Sequence, residues 1–232
     1  MLRDLSEITA DSAGITPRLS FLVAAFSDVV NTNTFPCVYS QLPFSAGDLH
    51  FDHLHDDESL DRRVIESMRR LCDIITESPD AIGVFFIERN ETAGLQDDLA
   101  LARRLTRAVM RADALDNPGE PVVSPDSPEW TLRLNGIALF LNFSSPAHEL
   151  RRSRNVGPAF TVIAQARESF DRFGRSNPRA RQTIRRRLAG YDAVAPHPSL
   201  AHYGDVGARE AHQYFLGDGL VPLDVTEGAN GD

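Results

Sequence analysis

The segment Ser144-Ser-Pro-Ala-His-Glu-Leu-Arg-Arg-Ser-Arg-Asn-Val-Gly-Pro158 sets one histidine beside three arginines where an apolar strand pattern gives way to a loop. Imidazole ligates metals near neutral pH, and a guanidinium fork pairs with carboxylates. His148 with Arg151, Arg152 or Arg154 therefore suits an anionic, metal-containing cofactor. The competing reading is a basic surface loop with a capping histidine. Downstream, Arg185 and Arg187 are two residues apart and cannot share one helical face, so this run reads as a solvated helix with one inward arginine. His197, held between Pro196 and Pro198, suits either metal ligation or a turn. Glu210, Gln213 and Tyr214 bring a carboxylate, an amide and a phenol within about two helical turns, enough to line a polar pocket or to finish a helix.

His50, His53 and His55 form a second cluster. Strand alternation puts His53 and His55 on one face and His50 on the other, so three convergent histidines are not expected and a solvated strand end is favoured over a structural metal. Cys37 and Cys72 lack zinc-ligand spacing and are expected to be reduced. There is no GxxxxGK[ST], no GxGxxG opening a helix, no GxSxG elbow and no CxxC pair, so nucleotide, hydrolase and zinc-ribbon readings lose their usual support. Ser153 or Cys37 as a nucleophile would need a distant histidine that spacing alone does not place.

The elements that must position these residues read as one α+β domain, a mixed or largely antiparallel sheet with packed helices. At 232 residues the chain can enclose a full core. Residues 1–14 are expected to be a flexible start, 15–223 the domain and 224–232 a flexible tail. Helical periodicity marks 18–30, a long helix carrying Leu60, Val64, Met68, Leu71 and Ile75 after a cap at Asp56 or Asp57, and 95–112. Strand character marks 37–42 and 49–54 as a hairpin, then 82–87, 132–143 and 159–165. Residues 117–128 hold four of the 14 prolines and read as loop. Two short helices after Ala166 and one at 209–215 complete the pattern.

The formal net charge of −9 argues against general nucleic-acid binding and fits a cationic small molecule. No run approaches the roughly 20 apolar residues of a membrane span, and the start lacks a signal-peptide pattern, so a cytoplasmic location is expected. All 24 basic residues are arginine, whose planar fork suits carboxylates on a ligand.

The ordered set Phe35-Pro-Cys37, His148, Ser153-Arg-Asn-Val-Gly-Pro158, Phe170-Asp171, Ile184-Arg185 with Arg187, Tyr191-Asp192, His197-Pro-Ser-Leu200, Tyr203-Gly-Asp205 and Glu210 with Gln213-Tyr214-Phe215-Leu216 resembles the YqcI/YcgG family from residue 35 to 216. Two positions depart from that pattern: Val221-Pro-Leu223 stands where the family has Cys-Pro-Phe, and Ala211 stands where it has an aromatic residue. Members include heme proteins that N-hydroxylate arginine or a cyclic guanidine. The resemblance implies heme b, with O2 and an external electron donor, acting on a guanidine or amine nitrogen of a small cationic molecule. It implies His148 as the iron ligand, with Cys37 and His197 as alternatives. Arg151, Arg154, Arg185 and Arg187 would hold the cofactor, and Glu210 and Gln213 would orient the substrate. A heme-binding or heme-trafficking protein without catalysis is the rival class, and a non-heme metal hydrolase is a third. A homo-oligomer is compatible with the sequence.

Overall fold

The computed structural model describes residues 2–10, 14–89, 93–121, 123–172, 177–201 and 205–226, with Phe170 and Asp171 as backbone only. Tyr203 and Gly204 of the family pattern, and residues 227–232 of the expected tail, lie outside them. The elements are β1 (Arg3–Asp4), α1 (Leu5–Thr9), α2 (Pro17–Val30), α3 (Leu42–Ala46), β2 (Leu49–His55), α4 (Leu60–Glu77), β3 (Ile82–Glu88), α5 (Leu95–Asp116), β4 (Leu132–Leu134), β5 (Ile137–Ser144), β6 (Phe160–Ala166), α6 (Ser169–Arg172) and α7 (Pro178–Tyr191). Single 3-10 turns cover Arg152–Arg154 and Ala211–Gln213.

The sheet has the order β1-β2-β3-β6-β5-β4. β2 and β3 are parallel and the remaining pairs are antiparallel, so the fold is α+β with a mixed sheet. The parallel pair is joined by α4, as parallel strands need a crossover. Alternation along the strands divides the core. Phe85, Ile87, Leu141, Phe143, Val162 and Ala164 meet α4 and α5 on one face, whereas Phe51, Val84 and Phe86 meet Leu22, Val23 and Phe26 of α2 on the other. Burying each such side chain contributes roughly 1.5–3 kcal/mol.

Helix α2 covers only the β2–β3 side of its face. Over β5 and β6 that face carries Phe140, Asn142 and Gln165, and here the chain leaves a cavity. Opposite these strands stands α7, which has no fully buried residue.

Several expectations are corrected. Residues 37–41 lead by turns into α3, which takes Leu42 as its first residue, because Pro43 at the start of α3 favours a helix and not a ladder. β2 consequently pairs with β3 and β1, not in a hairpin with 37–42. Residues 132–143 divide into β4 and β5 around Asn135 and Gly136, whose φ values of 49° and 76° make the tight turn that Asn-Gly favours. The start of the chain pairs as an edge strand, and Asp4 and Glu7 close a capping box on α1. The beginning of the tail is also docked, with Arg103 and Arg107 donating to the Asp224 and Val225 carbonyls. The helix expected at 209–215 is the short 3-10 turn. Among the described residues no helix is long and apolar enough to cross a membrane.

Candidate active site

The cavity beside α7 has a volume of about 320 Å³, at the lower end of small-molecule sites. Besides Phe140, Asn142, Gln165 and Arg167 at the sheet and Leu200 and Ala201 after α7, four chain segments make its wall. The first is Phe35-Pro-Cys37 with Tyr39, which α7 holds from behind. Arg187 donates to the Asn33 and Phe35 carbonyls at 3.0 and 3.3 Å, and Tyr191 meets the Phe35 ring edge-on. Arg187, expected at the cofactor, is thus a brace for the wall and does not line the cavity.

The second segment carries Arg151, Ser153 and Arg154. Two aspartates fix its backbone. Asp218 accepts from the N–H groups of Glu149, Leu150 and Arg151 at 3.1, 3.0 and 2.8 Å, and Asp192 accepts from the N–H and hydroxyl of Ser153. Burial alone would raise the Asp218 carboxyl, but the three amide donors hold it below the ordinary range. Both arginines are buried and only partly satisfied. Arg151 donates to the Gly217 and Ala195 carbonyls and Arg154 to that of Gln213, leaving Arg151 Nη2 and Arg154 Nη1 buried without a hydrogen bond. Burial, and then the neighbouring Arg151 charge, pushes Arg154 down to about 10.

The third segment is the face of α7 with Arg181, Ile184, Arg185 and Leu188; Arg185 also donates to the Leu200 carbonyl. The fourth is the 3-10 turn, which presents Glu210 and Gln213. Glu210 Oε1 accepts from Tyr214 at 2.8 Å and Thr131 at 3.0 Å. Its Oε2 is buried with no hydrogen bond, and Arg167 Nε stands 3.3 Å away as an ion pair. Burial raises the carboxyl of Glu210, which these partners counter in part.

Two histidines expected as metal ligands lie outside this lining. His148 is buried with Nε2 2.9 Å from the Leu216 carbonyl and Nδ1 3.3 Å from that of Ser145, and its ring packs on Phe215. Burial lowers its pKa, against the two carbonyl contacts, which favour the protonated ring; the ring joins two loops and does not line this cavity. His197 accepts from the Ser199 N–H through Nδ1, the turn-stabilising arrangement, which leaves its buried Nε2 without a partner. Burial, with Arg151 and Arg154 nearby, pushes it down to about 4. Cys37 is half-buried and does line the cavity.

Sequence reasoning placed Cys37, Arg151, Arg154, Arg185, Glu210 and Gln213 at the site, and the fold brings them to one cavity. It missed Arg167, Arg181 and Asp218, which carry no local signal. The net charge of the whole chain does not describe the site, because among the described residues the cavity wall holds five arginines against one glutamate.

The described residues thus form an α+β domain with a mixed sheet and an arginine-rich, partly apolar cavity between sheet and helix. The chain belongs to the YqcI/YcgG family, whose model matches residues 26–224. It is 30% identical over 206 residues to the Streptomyces lavendulae protein named "Putative N(omega)-hydroxy-L-arginine synthase DcsA", covering 83% of this chain and 77% of that one. It is 29% identical to YqcI of Bacillus subtilis strain 168, covering 80% and 77% of the two chains. It is 30% identical to YcgG of the same organism, covering 87% and 83%. No solved structure matches the chain.

Proposed function

We propose that this chain is a heme-dependent N-hydroxylase that places one oxygen atom on a guanidine or amine nitrogen of an amino-acid-like small molecule. The observation that carries the reading is the set of buried polar atoms without a hydrogen bond around one cavity: Arg151 Nη2 and Arg154 Nη1 as donors, and Glu210 Oε2, which has the Arg167 ion pair alone, as acceptor. Leaving such groups unmade costs about 1–3 kcal/mol each, more when they are charged, so a ligand that satisfies them recovers this free energy. The name of the Streptomyces relative supplies the reaction class.

The residues fit heme b in three respects. The open guanidinium nitrogens of Arg151 and Arg154 suit its carboxylates, and Arg185 adds a third cation to the wall. Cys37 supplies a soft donor in the lining. Helix α7 turns Ile184 and Leu188 toward the cavity yet buries neither, so a flat apolar occupant would complete the packing an amphipathic helix normally finds. Bound there, heme would supply the activation of O2, using electrons from an external donor. Overall, one oxygen atom of O2 enters an N–H bond and the other leaves as water, consuming two electrons and two protons.

The protein's own part is binding and proton control. Tyr214 and Thr131 hold one oxygen of Glu210, leaving Oε2 to accept a substrate N–H. A guanidinium must give up a proton before its nitrogen has a lone pair to offer, and a carboxylate raised by burial is a better acceptor than an ordinary one. Gln213 lies beside it to fix the substrate's orientation. The test is incubation of the hemin-loaded protein with O2, a reductant and L-arginine, followed by other guanidines and amines, watching for a mass gain of one oxygen atom. Stoichiometric heme without product across that panel favours the heme-carrying rival. No saturable hemin binding sinks the heme reading.

A further inference from the structure

A different part of the sheet holds a cluster that the cavity does not use. β2 and β3 run parallel with His55 in register with Glu88, and His53 lies two residues before His55 on the same strand face. Three side chains therefore meet at the ends of two neighbouring strands. Their ligating atoms, one from each of His53, His55 and Glu88, all lie within 4.8 Å of one another, and His53 Nε2 is already 2.9 Å from Glu88 Oε2. None of the three lines the arginine-rich cavity.

We propose that His53, His55 and Glu88 form a binding site for a divalent first-row transition ion of the Zn2+ class. Two imidazoles and a carboxylate are borderline donors that suit such ions and not Ca2+ or Mg2+, whose shells are built from oxygen. With metal–ligand distances of roughly 2.0–2.2 Å, adjacent donors stand roughly 3–3.5 Å apart, so His53 and Glu88 need almost no adjustment and the exposed His55 ring closes the set by rotating. Three protein ligands leave at least one position open to water or an exogenous ligand.

Arg18 supports the assignment. It pairs with Glu88 Oε1 at 2.5 Å while His53 takes Oε2, so one oxygen of the carboxylate is oriented by a cation and the other is presented to the histidines. This is the outer-sphere arrangement by which ligating carboxylates are held. Arg18 and Glu88 also line a second cleft, of about 800 Å³, which gives an ion access from solvent. The strand pattern HxxHxH alone could not show this, because the third ligand comes from β3. The site stands independently of the proposed hydroxylase activity.

The test uses the untagged full chain, stripped with chelator and titrated with Zn2+ by calorimetry and with Co2+ by visible absorption. Saturable uptake of one ion per chain is expected, with a Co2+ spectrum free of thiolate charge-transfer bands. His55→Ala changes an exposed side chain and leaves the fold in place. It should weaken binding by at least about tenfold, since even outer-sphere partners are worth roughly 10–100-fold. His53→Ala and Glu88→Gln, checked for folding by circular dichroism, should do the same. No saturable uptake overturns the site, and so does binding that survives His55→Ala together with either of the other two substitutions.

Discussion

Tyr214 donates its hydroxyl to Glu210 Oε1 at 2.8 Å with both side chains buried, so this carboxylate of the cavity wall is held from behind by a phenol. The same ring packs edge-on against Phe140 on β5, and the Tyr214 carbonyl accepts from the Phe143 N–H. The position of the carboxylate is thereby tied to the sheet.

The first prediction concerns this pair. Glu210→Gln keeps the shape but loses the proton acceptor, and kcat/KM should fall by about 10²–10⁴-fold. Tyr214→Phe removes a hydrogen bond that favours the ionised carboxylate, so the Glu210 carboxyl should titrate higher. Activity requiring the carboxylate then appears at higher pH, and the acid limb of the kcat/KM profile should move upward. An unmoved limb, measured on protein with intact circular dichroism, would separate Tyr214 from the chemistry.

Arg154 should show opposite effects on stability and binding. Its guanidinium is buried with one nitrogen unpartnered. An apolar replacement of similar volume, Arg154→Met, should therefore leave the stability of the ligand-free chain within ~1 kcal/mol or raise it. Hemin affinity in the same variant should fall at least about tenfold, the loss of one charge-assisted contact. Denaturant melts and hemin titrations measure the two quantities separately.

Cys37 and His148 can be told apart by the kind of damage each substitution does. Cys37→Ser should alter the Soret band of the hemin-loaded protein or prevent loading, with little change in stability. His148→Ala should instead cost roughly 2–4 kcal/mol, because it opens a buried space and leaves the Leu216 carbonyl without its donor. The Soret position of the folded fraction should stay where it is. An altered band in His148→Ala with unchanged stability would return the ligand role to this histidine.

His197 makes stability depend on pH. Its pKa is about 4 in the folded protein against an ordinary 6.5. Between those values the unfolded chain binds the additional proton, so stability rises with pH across that window. His197 thus adds stability above about pH 6.5 that drains away as pH falls toward 4. Urea melts at pH 7 and pH 5 should show a smaller loss for His197→Asn than for the unmodified protein. Equal losses would mean that the buried Nε2 finds water or another partner.

Much of the architecture follows from local pattern. The period of Leu60, Val64, Met68, Leu71 and Ile75 determines α4, and the apolar run from Ile82 determines β3, because burial of one stripe or of both faces leaves little alternative. The same reading failed where turn chemistry competed with strand character. Pro43 made a helix after Cys37, and Asn135-Gly136 broke one apolar run into two paired strands.

The ordered residues that resemble the family were enough to single out Arg151, Arg154, Arg185, Glu210 and Gln213, with Cys37 as an alternative ligand, and all six line the cavity. Only the tertiary structure decided which way each side chain faces. Arg185 and Arg187 lie two positions apart on α7, and helical rotation sends one to the cavity and the other to the Phe35 carbonyl. His148 turns both nitrogens to backbone carbonyls, a pairing that spans 68 residues for Leu216 and leaves no trace in spacing. Glu88 reaches His53 and His55 only because β2 and β3 pair in one register, and register is a property of two strands together.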